Sequence, residues 1–191
     1  TTVSRASVHN ISIMEELKLG VGDEIEVYKA NMIIPQIARN LTKSGVKDIP
    51  KRCPVCGGET KIKQAGNAKA LYCLNEDCQA KHVKAFALFV SRDALNIEGL
   101  SESTLEKFIA RGYIREFSDL FHLDHYKEEI QSMEGFGEKS YNNLIASAEK
   151  ARHTTLPKVI YGLGIAGIGL ANAKVICREF QYDVELSLIH I

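Results

Sequence analysis

Four cysteines in two close pairs constrain this chain more than any other feature. Cys53-Pro-Val-Cys56 is followed, after sixteen residues, by Cys73-Leu-Asn-Glu-Asp-Cys78. Two short-spaced pairs flanking a hairpin-length spacer suit tetrahedral zinc, each tight turn supplying two thiolates. Gly57-Gly58 follows the first pair, where the backbone must bend sharply enough to aim amides at sulfur. The spacer predicts a hairpin with arms near residues 60–64 and 69–72 and a turn at Ala65-Gly66-Asn67. The competing arrangements are paired disulfides or unconnected cysteines. Disulfides belong to oxidising compartments, and Thr1-Thr2-Val3-Ser4-Arg5 shows no secretory pattern. Four protein thiolates would leave no open coordination position, so the zinc is expected to be structural. Cys177 stands apart, in the apolar stretch Ala173-Lys174-Val175-Ile176-Cys177, and is expected to be a buried small hydrophobe.

At 191 residues, 45% apolar and 25% charged, the chain has the make-up of a soluble globular protein of one or several domains. No apolar run approaches the roughly 20 residues that cross a bilayer, so no membrane partner is expected. The net charge is zero, but residues 1–92 carry 14 Lys/Arg against 9 Asp/Glu, and residues 93–191 carry 10 against 15. The basic half suits phosphates. The acidic half cannot hold nucleic acid by bulk attraction, so such a role there needs a local device.

The C-terminal half contains that device three times. Ile97-Glu98-Gly99-Leu100-Ser101, Met133-Glu134-Gly135-Phe136-Gly137 and Ile165-Ala166-Gly167-Ile168-Gly169 align without gaps, their first glycines 36 and 32 residues apart. Apolar residues recur two positions before and one after that glycine. Phe108-Ile109, Leu144-Ile145 and Ile176-Cys177 recur nine and ten positions after it, as in a helix beginning just past the turn. Each unit reads as helix, tight turn, helix: a helix-hairpin-helix. Glycines in the turn let the backbone approach a phosphate, and the following helix offers unpaired N–H groups and its positive dipole end. Such binding ignores base sequence and needs little net charge. A single Gly-apolar-Gly would mark only a helix end; three in register favour the nucleic-acid reading. Gly99, Gly135, Gly137, Gly167 and Gly169 are the candidate phosphate-facing positions, with Lys139 beside the second turn. Ser101 replaces the second glycine of the first copy, which is expected to bind weakly or to serve packing.

Residues 1–50 read as β-structure. Glu24-Ile25-Glu26-Val27-Tyr28 alternates after a turn at Gly20-Val21-Gly22-Asp23, and Met32-Ile33-Ile34-Pro35 is a second apolar run. So few strands cannot close a stable barrel, so the segment is expected to be the remainder of one. Near Pro50, Lys43, Lys47, Lys51 and Arg52 suit either a solvated loop or a phosphate-facing linker.

Taken together, these residues resemble bacterial NAD-dependent DNA ligases. The resemblance rests on Thr1-Thr2-Val3-Ser4-Arg5-Ala6-Ser7-Val8-His9-Asn10, on Lys29-Ala30-Asn31-Met32-Ile33-Ile34-Pro35-Gln36 and on the ordered cysteines. It continues through residues 89–100, Gly135-Phe136-Gly137-Glu138-Lys139-Ser140 and Leu163-Gly164-Ile165, and covers roughly residues 1–183. It implies a multidomain α+β architecture. Residues 1–50 would be the C-terminal part of an OB-fold, a partial β-barrel, and residues 51–82 a small four-cysteine zinc finger. Residues 83–191 would be an all-α tandem helix-hairpin-helix domain with three motifs and the family's fourth missing.

In that family the enzyme encircles nicked duplex DNA, draws AMP from NAD onto a lysine, passes it to the 5′-phosphate and seals the nick. The resemblance therefore implies a DNA partner bound without sequence preference, a role in replication and repair, and a monomer in the bacterial cytoplasm, associated with the nucleoid. Zinc would be bound here, and NAD and Mg only by the full-length enzyme. By the same resemblance Lys29, Ile33 and Ile34, with Arg5, lie at the OB face toward DNA. The chain departs from the family in several places. The Lys-x-Asp-Gly adenylation motif is absent, Asn31-Met32 stands for Gly-Asp, and Gln79-Ala80-Lys81 for Pro-Ala-Gln. Residues 185–191 do not resemble a fourth hairpin. A fragment of the enzyme without catalytic residues, inactive alone, is expected. The alternatives are a non-catalytic DNA-structure-binding protein and a zinc-stabilised module whose hairpins meet a protein.

Overall fold

The computed structural model describes residues 2–45 and 49–184. The expectations for Lys47 and for residues 185–191 lie outside the described residues. The chain forms two compact units, Thr1–Cys78 and Gln79–Ile191, each with its own contacts. Among the described residues, no helix is long and apolar enough to cross a membrane.

Among the described residues the first unit holds two separate two-stranded antiparallel sheets and one short helix. Strand β1 (Ile25–Ala30) pairs with β2 (Ile34–Asn40), with a register shift between Glu26 and Val27. Among the described residues no barrel closes. Two details correct the sequence reading. The segment is not all β, because α1 (Ile11–Glu16) precedes the strands, with the Asn10 side chain accepting the Ile13 N–H at its start. And Met32 and Ile33 belong to the turn, so β2 begins only at Ile34. Asn31 and Met32 both adopt left-handed backbone, φ 50° and 62°. Asn tolerates that region through its short polar side chain, whereas Met there carries a cost of about 1 kcal/mol. Buried Asn40 ties the end of β2 to the loop before β1. Its amide donates to the Lys18 carbonyl (2.9 Å) and the Asp23 carboxylate (2.7 Å), and its oxygen accepts from Thr42 and Lys43.

The second hairpin, β3 (Thr60–Ala65) with β4 (Ala68–Cys73), turns at Gly66-Asn67 with Gly66 at φ 61°. It occupies the place the cysteine spacer predicts. Helix α1 packs on β4, where the Lys69 N–H donates to Ser12 Oγ and its ammonium meets Glu15, both at 2.8 Å.

The second unit is helical: α2 (Gln79–Phe89), α3 (Glu102–Ala110), two 3-10 turns (Phe117–Phe121 and Leu123–Tyr126), α4 (Lys127–Gln131), α5 (Glu138–Ala151), α6 (Leu156–Gly162) and α7 (Leu170–Glu179). Its main core joins Phe86 and Phe89 of α2 with Leu105 and Phe108 of α3 and Leu144 of α5. Phe117 stacks on Phe89, ring centroids 4.2 Å apart. A smaller cluster, Ile160, Ala173 and Cys177, joins α6 to α7. Cys177 is fully buried, and burial pushes its thiol up, as suits a packing residue. Gly162 lets α6 approach α2: a Cβ there would lie 3.2 Å from Phe89 and Ala94.

Candidate metal centre and nucleic-acid interface

The four cysteine sulfurs converge, all within 4.8 Å of one another. Cys53 and Cys78 sulfurs are 3.9 Å apart, and those of Cys56 and Cys73 are 3.5 Å apart. Those gaps are too long for disulfides, and all four cysteines are free. They match a tetrahedron with metal–sulfur bonds of about 2.3 Å, which places sulfurs about 3.8 Å apart. The first turn is built by its glycines. Cys53 N–H donates to the Gly58 carbonyl (2.7 Å) and Gly57 N–H to the Cys53 carbonyl (2.9 Å), with Gly57 at φ 69°. Gly58 is required for room: a Cβ there would lie 2.9 Å from Asn75 Cβ and 3.2 Å from Cys56 Sγ.

The chemistry of the donors also fits a cation. The Gly58 N–H donates to Cys56 Sγ (3.4 Å) and draws that thiol down to about 6. The N–H groups of Cys56 and Val55 lower Cys53. Burial, helped by the neighbouring Cys56 sulfur, pushes Cys73 up to about 11. Without a cation the four cannot all be thiolates at neutral pH; a bound metal ionises them together. The cluster can hold a metal ion through four sulfurs, and that donor set is the one zinc prefers.

The three repeated turns share one backbone. Gly99, Gly135 and Gly167 lie at φ 89°, 84° and 82°, the region glycine enters without penalty. The next-but-one residue behaves differently from the sequence reading. Ser101, Gly137 and Gly169 are the N-caps of α3, α5 and α7, in extended backbone that any residue adopts. The glycines there are therefore not needed for conformation. What they change is access. Ser101 accepts the Thr104 N–H (3.2 Å), so α3 caps itself, whereas Gly137 and Gly169 make no side-chain cap. A Cβ at Gly135, Gly137, Gly167 or Gly169 would meet nothing within 4 Å. At the first turn the Gly99 Cβ position lies 3.7 Å from Leu144, and the Glu98 N–H donates to Ser147 Oγ (2.8 Å). The first copy leans on α5, while the second and third leave their helix starts open.

Sequence reasoning missed two features of these turns. Leu105, Tyr141 and Ala173, six residues after each first glycine, are all buried. The signal was an apolar or aromatic residue at that offset in each copy. The structure also brings the turns of the first two copies together: Gly99 and Gly135 line one cleft of about 310 Å³ with Thr104, Phe136, Ser140 and Asn143. Gly167 and Gly169 are not part of it. Lys139 is exposed in the first turn of α5, beside the acidic Glu138.

In the first unit Arg5, Lys29, Ile33 and Ile34 are all exposed. Ile33 and Ile34, with Met32 at 88% exposure, make the tip of the β1–β2 hairpin an apolar knob.

No family model matches the chain. A protein of Lachnoclostridium phytofermentans named DNA ligase is 67% identical over 183 residues, 96% of this chain. One of Ruminiclostridium cellulolyticum is 63% identical over the same share, and one of Acetivibrio thermocellus 36% identical over 95%; both are named DNA ligase. The chain spans about 28% of the length of each of these relatives.

Proposed function

From its homology with DNA ligases over nearly its whole length, we propose that this chain is the DNA-gripping portion of an NAD-dependent ligase that seals nicks in duplex DNA during replication and repair. The observation that carries the proposal is the 67% identity spread over 96% of the chain. The second and third turns support the DNA-binding part of it, since their open helix starts are suited to phosphates.

In this reading residues 1–50 are the C-terminal part of an OB-fold, 51–82 a zinc finger and 83–191 the tandem helix-hairpin-helix domain. Cys53, Cys56, Cys73 and Cys78 hold a zinc ion, which when bound supplies folding energy and no reaction chemistry. Gly135, Gly137, Gly167 and Gly169 bring backbone amides to phosphates, Lys139 adds a charge, and Gly99 takes a lesser part. Lys29, Ile33 and Ile34, with Arg5, face the duplex from the β1–β2 hairpin. NAD and Mg serve the full-length enzyme, a monomer of the bacterial cytoplasm and nucleoid. None of the residues here adenylates, so the chain alone is inactive.

The test is a chimera in which this chain replaces the matched stretch of the Lachnoclostridium protein. NAD-dependent sealing of a nicked duplex is the expected outcome. A folded, zinc-loaded chimera that binds no nicked DNA sinks the reading and favours a protein partner for the hairpins. One that binds but never seals favours a non-catalytic DNA-structure-binding module.

A further inference from the structure

The acidity of the C-terminal half is not uniform. Residues 93–149 carry 12 Asp/Glu against 5 Lys/Arg, but residues 150–178 carry five Lys/Arg and no Asp or Glu. A 29-residue acid-free run within an otherwise acidic region is a local reversal of field, and it begins where α5 ends.

The fold gathers the start of that run into a cleft of about 330 Å³ where α5 gives way to α6. Lys150, His153 and Lys158 line it together with Thr154, Thr155 and Asn96. Buried Leu95 and Ala151 form its apolar floor. No carboxylate lines it, and the acid preceding the run, Glu149, is paired with Arg152 at 2.8 Å. Among the described residues neither Lys150 nor Lys158 is in an ion pair. Lys150 sits in the last turn of α5, where a cation also offsets the helix dipole; Lys158, inside α6, has no such role. A cleft lined by two lysines, a histidine and two threonines, and by no carboxylate, suits an anion with several oxygens.

We infer that this cleft is a phosphate-binding site separate from the three glycine turns, and that its ligand is a backbone phosphodiester of the same duplex. The inference rests on the DNA-binding reading above. Held by side chains, this site contributes through counterion release, whereas the turns contribute mainly through backbone amides. The two kinds of contact therefore separate in their salt dependence.

The experiment measures affinity of the zinc-loaded 191-residue chain for a nicked duplex between about 50 and 200 mM salt. In the double variant Lys150→Gln/Lys158→Gln the log–log slope should become shallower by about 2, about 1 for each lost lysine contact. Lys150→Arg/Lys158→Arg should restore it. Lys127→Gln, an exposed lysine on α4 outside the cleft, should leave it unchanged. An unchanged slope in the Gln double variant, or an equal loss in Lys127→Gln, overturns the inference while leaving the DNA-binding reading intact. Saturable binding of inorganic phosphate that the Gln variant loses, with the DNA slope unmoved, assigns the cleft to a free anion and overturns it too. Absence of binding by the unsubstituted chain defeats the DNA-binding reading and this inference together.

Discussion

At the scale of single residues, the repeated turns separate two jobs that glycine performs. Gly135 lies at φ 84°, so Gly135→Ala forces a side chain into left-handed backbone and should cost about 1 kcal/mol of stability. Gly137 lies at φ −133° and ψ −179°, which suits any residue. Gly137→Ser should therefore fold readily, and its hydroxyl can accept the Ser140 N–H as Ser101 accepts that of Thr104. The expected result is a protein more stable by about 0.3 kcal/mol, since a Ser cap improves only modestly on Gly. The same variant should bind nicked duplex more weakly, because the cap occupies an amide the phosphate would use. Thermal melting and a binding titration check the two halves together. Tighter binding by Gly137→Ser would show that the open helix start is not the phosphate contact. Gly58 performs a third job, plain clearance, since a Cβ there would press on Asn75 and Cys56.

At the scale of elements, the 3-10 turn Phe117–Phe121 depends on Asp119, whose carboxylate accepts the N–H groups of Arg115 (2.7 Å) and Glu116 (2.9 Å). The Glu116 and Arg115 N–H groups hold its pKa below the ordinary 3.8. A depressed carboxylate contributes stability that is present above 3.8 and lost as pH falls through the lowered value. Asp119→Asn should thus destabilise the helical unit at pH 7 by up to roughly 1 kcal/mol, the size of a capping interaction, seen as a lower melting temperature. The deficit should shrink below pH 3.8, and a deficit independent of pH would mean the carboxylate charge is irrelevant.

Much at this scale was readable from sequence. The cysteine spacer announced β3 and β4, and the three glycine turns announced α3, α5 and α7. The failures have physical causes. Met32-Ile33-Ile34-Pro35 looks like a strand because local hydrophobicity cannot tell a buried run from an exposed tip; Met32 and Ile33 prove to be turn residues. Helix α1 has only six residues and owes its place to Asn10 and to packing on β4, a contact 57 residues distant in sequence. The cationic cleft was half legible: the acid-free run is plain, but only folding brings Asn96 beside Lys150 and Lys158.

At the scale of the whole chain, the two units differ in what holds them together. Among its described residues the unit Gln79–Ile191 has a main core of 19 buried residues, from Val83 to Ala151, and each large side chain in it adds about 1.5–3 kcal/mol. The unit Thr1–Cys78 buries only Ile11, Leu19, Asn40, Cys53 and Cys78 among its described residues, two of them proposed metal ligands. Two-stranded sheets of that kind are marginal in water by themselves. The metal should therefore carry the first unit, since ligation energy in so small a module is folding energy. Chelation at neutral pH should abolish protected amides in β3 and β4, while the helical unit keeps its own cooperative melting. Re-addition of zinc should restore protection in β3 and β4 and release protons, at least that of Cys73, whose thiol is pushed up to about 11. Hydrogen exchange resolved by residue, with zinc content measured alongside, makes the comparison. Equal loss of protection in both units would show that zinc stabilises the chain as a single cooperative body; loss in neither would show that the four cysteines fold without it.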